Sequence, residues 1–415
     1  MTKIIIIGAG PAGVTAAETV CRFDELADII MLSSEPYPPY SPPALVEYFL
    51  TGEPVHFWKG KDFPEKLSIE FRPGIRVKHI QTEKKTIILD SGDTLAYDRL
   101  LIAAGARLYT PLDGSDKEGI HNFKSLMAGE KLLSRVRAGE VKTALIVGAG
   151  FIGVEIALLL NELGIAVKML VRSRIMRGML DPETSAFIMN MLRARGIEII
   201  EGEDADALAF TGRDRAEGVQ MRSGKELQAD LLVAATGLKP NIEFLEGSGI
   251  ESDWGVMVDE KLCTNYPDVY AAGDIAETTD RVSGRRYAHA NFPNAVAQGV
   301  VAGLNLLGHD VVYNGSDSMN SLKHLGLPVM AAGIMEGEEL SVRSDGNLRK
   351  LWVKDDRLVG FRLAGDIGGA GIYLSLIRRA VPISTIKDKL TDKNFGMAYL
   401  MESALDPTIN IVREY

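Results

Sequence analysis

One pattern occurs twice in this chain and fixes most of what the chain can become. Lys3–Gly13 reads KIIIIGAGPAG and Thr143–Gly153 reads TALIVGAGFIG, so Gly8, Gly10 and Gly13 return 140 residues later as Gly148, Gly150 and Gly153. Ile4 to Ile7 form an unbroken β-branched run, suited to a strand covered on both faces of a parallel sheet. In a G-x-G-x-x-G turn the first glycine makes the tight bend and the second lets the backbone approach a pyrophosphate. The third lets the next helix press onto the strand. That helix, expected over Pro11 to Phe23, begins at the ligand and offers it free N–H groups and the positive end of its dipole. A single turn of this kind is a weak signal. A repeated strand, turn and helix is far more specific, and two copies mean two dinucleotide sites.

The strand after each helix carries the next information. Ile29 to Leu32 ends at Ser33, Ser34 and Glu35. A carboxylate here, roughly 20 residues past the glycines, accepts hydrogen bonds from an adenosine ribose. In the second copy Ala166 to Val171 ends at Arg172-Ser173-Arg174, with Arg177 beyond. Basic residues at that point accommodate a 2′-phosphate, which favours NADPH over NADH. Two dinucleotides in one chain suit electron transfer between a nicotinamide and a flavin.

Other stretches fill in the organisation. Pro36 to Leu45 reads PYPPYSPPAL, a stiff loop able to wrap an extended cofactor. Val46 to Phe63 reads as short helices, and Val77 to Ile80, Thr86 to Leu89 and a run to Leu95 as a small meander. Leu100 to Ala104 is a buried strand ending on Gly105, echoed by Leu231 to Ala234 and Gly237. An amphipathic helix is expected over Asp181 to Arg195, and strands over Ile197 to Ile200 and Gly218 to Met221. Pro240-Asn241 links back to the first unit. Val269 to Gly273 ends with Asp274 at its carboxyl edge, where open α/β sheets place ligands. Ala288 to Leu307 is expected as one helix whose small residues admit a flat ring system. From about Val311 the pattern changes to strands within Met319 to Val342, Leu348 to Val353 and Leu358 to Leu363, with a helix over Ile372 to Ala380.

Composition narrows the partners. A 415-residue chain with 46% hydrophobic residues fills two or three domains. Its net charge of -10 opposes general nucleic-acid binding. No run is long enough to span a membrane and no leader pattern opens the sequence, so a cytoplasmic protein is expected. Cys21 and Cys263 are the only cysteines. They are too few for a disulfide framework, a structural zinc or a cysteine-ligated iron–sulfur cluster, and no metal site is expected.

On these residues the chain resembles the FAD-dependent pyridine nucleotide-disulfide oxidoreductases. Within them it is similar to the branch without redox cysteines: NAD(P)H:rubredoxin and ferredoxin reductases and the flavin part of nitrite reductase. The resemblance covers essentially the whole chain. It implies an α/β fold with two Rossmann-like dinucleotide-binding domains on parallel sheets and a C-terminal α+β interface domain. The FAD domain would be discontinuous, 1–112 and 240–310. The NAD(P) domain would be 113–239 and the interface domain 311–415, often the seat of a homodimer. The match puts FAD on Gly8, Gly10, Ala12, Gly13, Ser34, Glu35, Val77, Ala104, Gly105, Gly273, Asp274 and Ala295. A helix starting near Asn294 would point its N-terminus at the flavin pyrimidine. NAD(P)H would lie on Gly148, Gly150, Phe151, Ile152, Gly153, Arg172, Arg174 and Gly237. Glu155, just past the third glycine, either faces the reacting rings as a catalytic residue or is simply a helix residue.

Three departures from the resemblance shape the expected chemistry. Pro42 stands where relatives usually carry arginine. Val46-Glu47-Tyr48 replaces a segment with a lysine near the flavin. No cysteine occupies the loop around Ala44 or pairs with Cys21. Thiol chemistry needs a thiolate against the flavin, so electrons are expected to leave directly for an external acceptor. The leading acceptor is a small redox protein of the ferredoxin or rubredoxin type. Arg281, Arg285, Arg286 and Arg378-Arg379 offer a basic docking face, or are simply solvated. One alternative is an enzyme reducing a quinone, a metal ion or oxygen, or a flavin subunit of a larger complex. The other is a flavin-binding regulatory protein without turnover.

Overall fold

The computed structural model describes residues 2–322, 326–344, 346–393 and 395–396. Each glycine turn starts at the end of a central strand of its own five-stranded parallel sheet. The first sheet runs Val269–Ala271, Arg99–Ile102, Lys3–Ile7, Asp28–Ser33, Glu70–Pro73. The second runs Glu198–Glu201, Ala166–Val171, Thr143–Val147, Leu231–Ala234, Ile120–His121. Ile4, Ile5 and Ile6 are fully buried, as are Ala144, Leu145 and Ile146. The β-branched run is therefore a strand with helix or sheet on both sides, which is what its composition requires.

The duplication extends to backbone angles. Gly8 and Gly148 both have φ +115°, a value that favours glycine. A Cβ at either would run into a carbonyl oxygen of the neighbouring strand end, Ala103 or Ala235. Gly10 and Gly150 cap their helices at φ -78°, ψ -177° and φ -79°, ψ -177°. The helices Pro11–Phe23 and Phe151–Glu162 follow.

The chain leaves the first sheet through Ala106–Leu108 and returns through Leu238–Pro240. These two crossings pair with each other as an antiparallel ribbon. Arg107 adds an ion pair to Glu243 beside it. The expected meander is present as Val77–Gln81, Thr86–Leu89 and Thr94–Ala96.

A third sheet is antiparallel, in the order Met319–Leu322, Val329–Gly333, Arg357–Ala364, Asn347–Lys354, Glu338–Ser344. One face packs Leu351 and Phe361 on Tyr373 of the helix Ala370–Arg379. The other face sends Ala331, Leu348 and Ala364 into the core built on helix Phe151–Glu162. Lys350 of this sheet donates to Asp181 and Glu183 of the second unit at 2.9 Å each, and to Glu339 at 3.0 Å. The end of the expected interface domain, 397–415, lies outside the described residues.

Several expectations are corrected. The helix placed over Ala288 to Leu307 begins at Phe292, because Asn291 caps it by accepting from the Asn294 N–H at 2.9 Å. Arg286–Ala288 is instead a strand paired with Ala276–Thr279. Of the small residues of that helix, Ala295 lines the cavity, whereas Gly299 and Gly303 face the helix Pro11–Phe23. A Cβ at Gly299 or Gly303 would meet the backbone oxygens of Ala12 or Ala16 at 2.6 and 2.8 Å, so these glycines let two helices press together. A helix over Leu126–Arg137, capped by Ser125, was not anticipated, nor were the strands Glu70–Pro73 and Ala207–Thr211. Among the described residues no helix is long and apolar enough to cross a membrane.

Candidate functional site

One continuous cavity of about 2220 Å³ is lined by both glycine turns. From the first unit it takes Gly8, Gly10, Ala12, Ser34, Glu35, Val77, Ala104, Gly105, Gly273, Asp274 and Ala295. From the second it takes Gly148, Gly150, Phe151, Ile152, Glu155, Arg172, Arg174 and Gly237. Gly13 and Gly153 are not in the wall. Each stands behind its turn, where a Cβ would strike the carbonyl oxygen of Gly8 or Gly148. They serve helix–strand packing and do not touch the cavity.

The wall fits dinucleotides. Nothing lies within 4 Å of a Cβ built on Gly10 or Gly150, so each second glycine opens onto free cavity in front of a helix N-terminus. That is the cradle a pyrophosphate needs. Parallel register locates the next residues. Ile7 pairs with Leu32 and Val147 with Leu170. Three positions past those partners stand Glu35 in one copy and Ser173 in the other. The first unit therefore presents a carboxylate where the second presents a hydroxyl between Arg172 and Arg174.

Glu35 is held in place. Tyr40 donates its hydroxyl to Oε2 at 2.5 Å, and the Met127 N–H donates to Oε1 at 3.1 Å. Burial and the Glu35 charge push the Tyr40 phenol far above its usual range. Arg172 lies 3.7 Å from Asp206 and is mostly exposed. Arg174 donates to the Arg177 carbonyl at 3.2 Å, and its Nε has no partner. Asn241 donates to the Ala104 carbonyl at 2.8 Å and fixes the small-residue turn.

Asp274 is not alone at its strand end. Lys124 Nζ donates to its Oδ2 at 2.8 Å. Lys124 and its neighbours Asn122, Phe123 and Ser125 line the cavity, and the sequence reading had missed them. Their signal was Ser125 followed by Leu126, Leu132 and Leu133, a cap before an apolar stripe. The Gly273 N–H is fixed by Gln298 Oε1 at 2.7 Å.

Glu155 reaches the cavity from helix Phe151–Glu162. Burial pushes its carboxyl up to about 7. A group that changes charge near neutrality beside a cofactor cleft can hold or release a proton there. Pro42 lines the wall and brings no charge to it. The expected basic docking face is largely consumed: Arg281 and Arg378 both bond Asp317, at 3.3 and 2.7 Å. Arg286 donates to the Val258 carbonyl.

Neither cysteine reaches the cavity. Cys21 Sγ faces the Leu67 carbonyl at 3.7 Å, and Cys263 Sγ the Tyr266 carbonyl at 3.5 Å. Burial raises both thiols, Cys263 to about 11. Neither is poised as a thiolate.

The comparisons with known proteins agree with this geometry. The sequence pattern of the family described as pyridine nucleotide-disulphide oxidoreductase matches residues 2–299. The chain is 28% identical over 403 residues to the assimilatory nitrate reductase electron transfer subunit of Bacillus subtilis, covering 94% of this chain and 51% of that one. It thus spans about half the length of that relative. It is 28% identical over 402 residues to the NADH-dependent phenylglyoxylate dehydrogenase subunit epsilon of Aromatoleum evansii, covering 94% of each. Among solved structures, an NAD-dependent persulfide reductase from A. fulgidus superposes with a TM-score of 0.81 at 27% identity, over 91% of this chain and 77% of that one. This chain belongs to the pyridine nucleotide-disulphide oxidoreductase family, whose cofactors are FAD and NAD(P)H.

Proposed function

We propose that the chain is an FAD-dependent NAD(P)H oxidoreductase that hands electrons to an external redox protein of the ferredoxin or rubredoxin type. The observation that carries this is the single cavity lined by both glycine cradles, with no cysteine in its wall. When bound, a nicotinamide supplies a hydride and a flavin takes up the electron pair for release to an acceptor.

The chain's own residues position and stabilise. We assign 1–112 and 240–310 to the FAD-binding unit, 113–239 to the nucleotide unit and 311–415 to an interface unit that forms a homodimer. Gly10 and the Pro11–Phe23 helix start hold one pyrophosphate, and Glu35 orients the adenosine ribose. Asp274, braced by Lys124, faces the linker between ring and phosphates. The N-terminus of helix Phe292–Leu306 offers a positive dipole end to negative charge on the ring system. Gly150 and its helix hold the second pyrophosphate, with Arg172 and Arg174 on a 2′-phosphate. Glu155 exchanges a proton near the rings.

A second reading is favoured by two relatives whose names make them subunits, the electron transfer subunit and subunit epsilon. In it this chain is the flavin subunit of a larger enzyme and its acceptor is a partner chain.

Anaerobic stopped-flow mixing tests the proposal. NADPH should bleach the flavin rapidly, and a ferredoxin or rubredoxin should restore the colour at a salt-dependent rate that a quinone does not match. Absence of bleaching by either NADPH or NADH overturns it.

A further inference from the structure

Where the third sheet closes the cavity, two buried side chains from different elements each keep one nitrogen without a hydrogen bond, Arg362 Nε and His289 Nε2. Arg362 is 2% exposed yet belongs to the cavity wall. It donates through Nη1 to the carbonyls of Ala332 and Phe361 at 2.6 and 2.7 Å, and through Nη2 to that of Gly333 at 3.1 Å. Its Nε has no acceptor. Five N–H groups minus these three leave Nε–H and one Nη2–H free, and a planar carboxylate or a phosphate takes such a fork bidentately. Among the described residues no carboxylate forms an ion pair with Arg362. Asp181, whose charge reaches it from a distance, is itself held by Lys350 at 2.9 Å. Burial pulls the guanidinium down to about 10.

The second side chain is His289, 3% exposed and also in the wall. Its Nδ1 pairs with Thr278 Oγ1 at 3.3 Å, and its Nε2 stands 3.4 Å from Asp280 Oδ2 in a geometry that makes no hydrogen bond. Its ring stacks on Tyr287 with centroids 3.8 Å apart. A chain of hydrogen bonds links the segments that carry the two groups. The Gly333 N–H donates to the Ser318 carbonyl at 2.9 Å, and the Ser318 N–H donates to Asp280 at 3.2 Å. Arg285, exposed, lines the same cavity.

Beyond those carbonyls the guanidinium has the face of Trp352, 5.3 Å from its Cζ, and a buried cation with only neutral partners is expensive unless an anion completes it. We propose that this wall is a binding site for a small carboxylate or oxoanion, with Arg362 as its anchor and His289 and Arg285 beside it. The site shares one cavity with both glycine cradles but uses residues that neither cradle uses, and it stands whether or not the electron acceptor named above is correct.

Isothermal titration of the FAD-loaded protein with sodium benzoate and, separately, inorganic phosphate tests this, with ionic strength held constant by sodium chloride. One of the two should bind with one-to-one stoichiometry, and which one does distinguishes a carboxylate from an oxoanion ligand. Arg362→Met should weaken that binding at least tenfold, while NADPH bleaching of the flavin keeps its rate. If Arg362→Met does not fold, Arg362→Lys keeps the charge without the fork: weakened binding supports the site and unchanged binding overturns it. Failure of the native protein to bind either anion at tens of millimolar overturns the proposal. So does an Arg362→Met protein that binds the anion normally but has lost tenfold in NADPH affinity, because Arg362 then belongs to the nucleotide.

Discussion

Lys124 and Asp274 meet across the cavity mouth, Nζ to Oδ2 at 2.8 Å, although 150 residues separate them. One precedes the helix Leu126–Arg137 and the other lies in the turn after Val269–Ala271, the last strand of the first sheet. Both are about one-fifth exposed, 24% and 18%, so the pair is worth more than a surface salt bridge.

Lys124→Met should therefore leave Asp274 unpaired beside an anionic cofactor. We expect a loss of about 1 kcal/mol in the stability of the FAD-free protein. FAD affinity should fall about tenfold. Urea unfolding of the apoprotein and fluorescence titration with FAD measure the two effects. An unchanged FAD affinity removes Lys124 from the site.

The glycines of the two cradles separate fold from binding. Gly10→Ala and Gly150→Ala place a methyl group in open cavity at ordinary φ, so folding stability should change by less than about 0.5 kcal/mol. The first should lose FAD selectively, and the second should keep FAD but lose at least about tenfold in NADPH affinity. Gly8→Ala, by contrast, adds a left-handed non-glycine residue and a backbone clash and should cost about 3 kcal/mol or more. Absorbance of the purified proteins and thermal unfolding distinguish the three.

Glu155 gives a pH signature. Its folded carboxyl titrates near 7 because of burial, against an ordinary value of 4.5. The folded state thus prefers the neutral acid. That preference is fully present below about pH 4.5 and is lost as pH rises through 7, a swing of about 3 kcal/mol. Glu155→Gln should flatten this slope and be the more stable protein at pH 8. Urea unfolding at pH 5 and pH 8 checks it, and equal slopes refute the role of burial.

Arg172 and Arg174 are proposed to meet a 2′-phosphate. Replacing both with alanine should lower the rate constant ratio kcat/KM for NADPH by about tenfold to a hundredfold, and leave NADH nearly unchanged. Equal losses with both nucleotides mean the arginines do not meet a 2′-phosphate.

Much of this site was legible because repeated local rules apply to it. A β-branched run before three glycines specifies strand, turn and helix through short-range geometry, and the structure has both copies with matching backbone angles. The end-of-strand residues Glu35 and Ser173, the latter flanked by Arg172 and Arg174, follow from counting along a parallel register. What the chain hid was long-range. Nothing near Asp274 announces Lys124, and nothing near Arg362 shows that its strand neighbours supply carbonyls and the Trp352 ring but no counter-ion. Gly299 and Gly303 are ambiguous in sequence because a close helix and a flat ligand ask for the same small side chains. The start of that helix was misplaced because Asn291, the residue that caps it, is one polar residue among several between Arg285 and Asn294.

The ribbon formed by Ala106–Leu108 and Leu238–Pro240 brings both ends of the second unit together at one spot. A module tethered at adjacent points has one covalent hinge, and here the third sheet clamps it a second time through Ala331, Leu348, Ala364 and Lys350. Its removal would leave two stumps close enough to be rejoined by a tight turn, and the first sheet would keep every one of its strands.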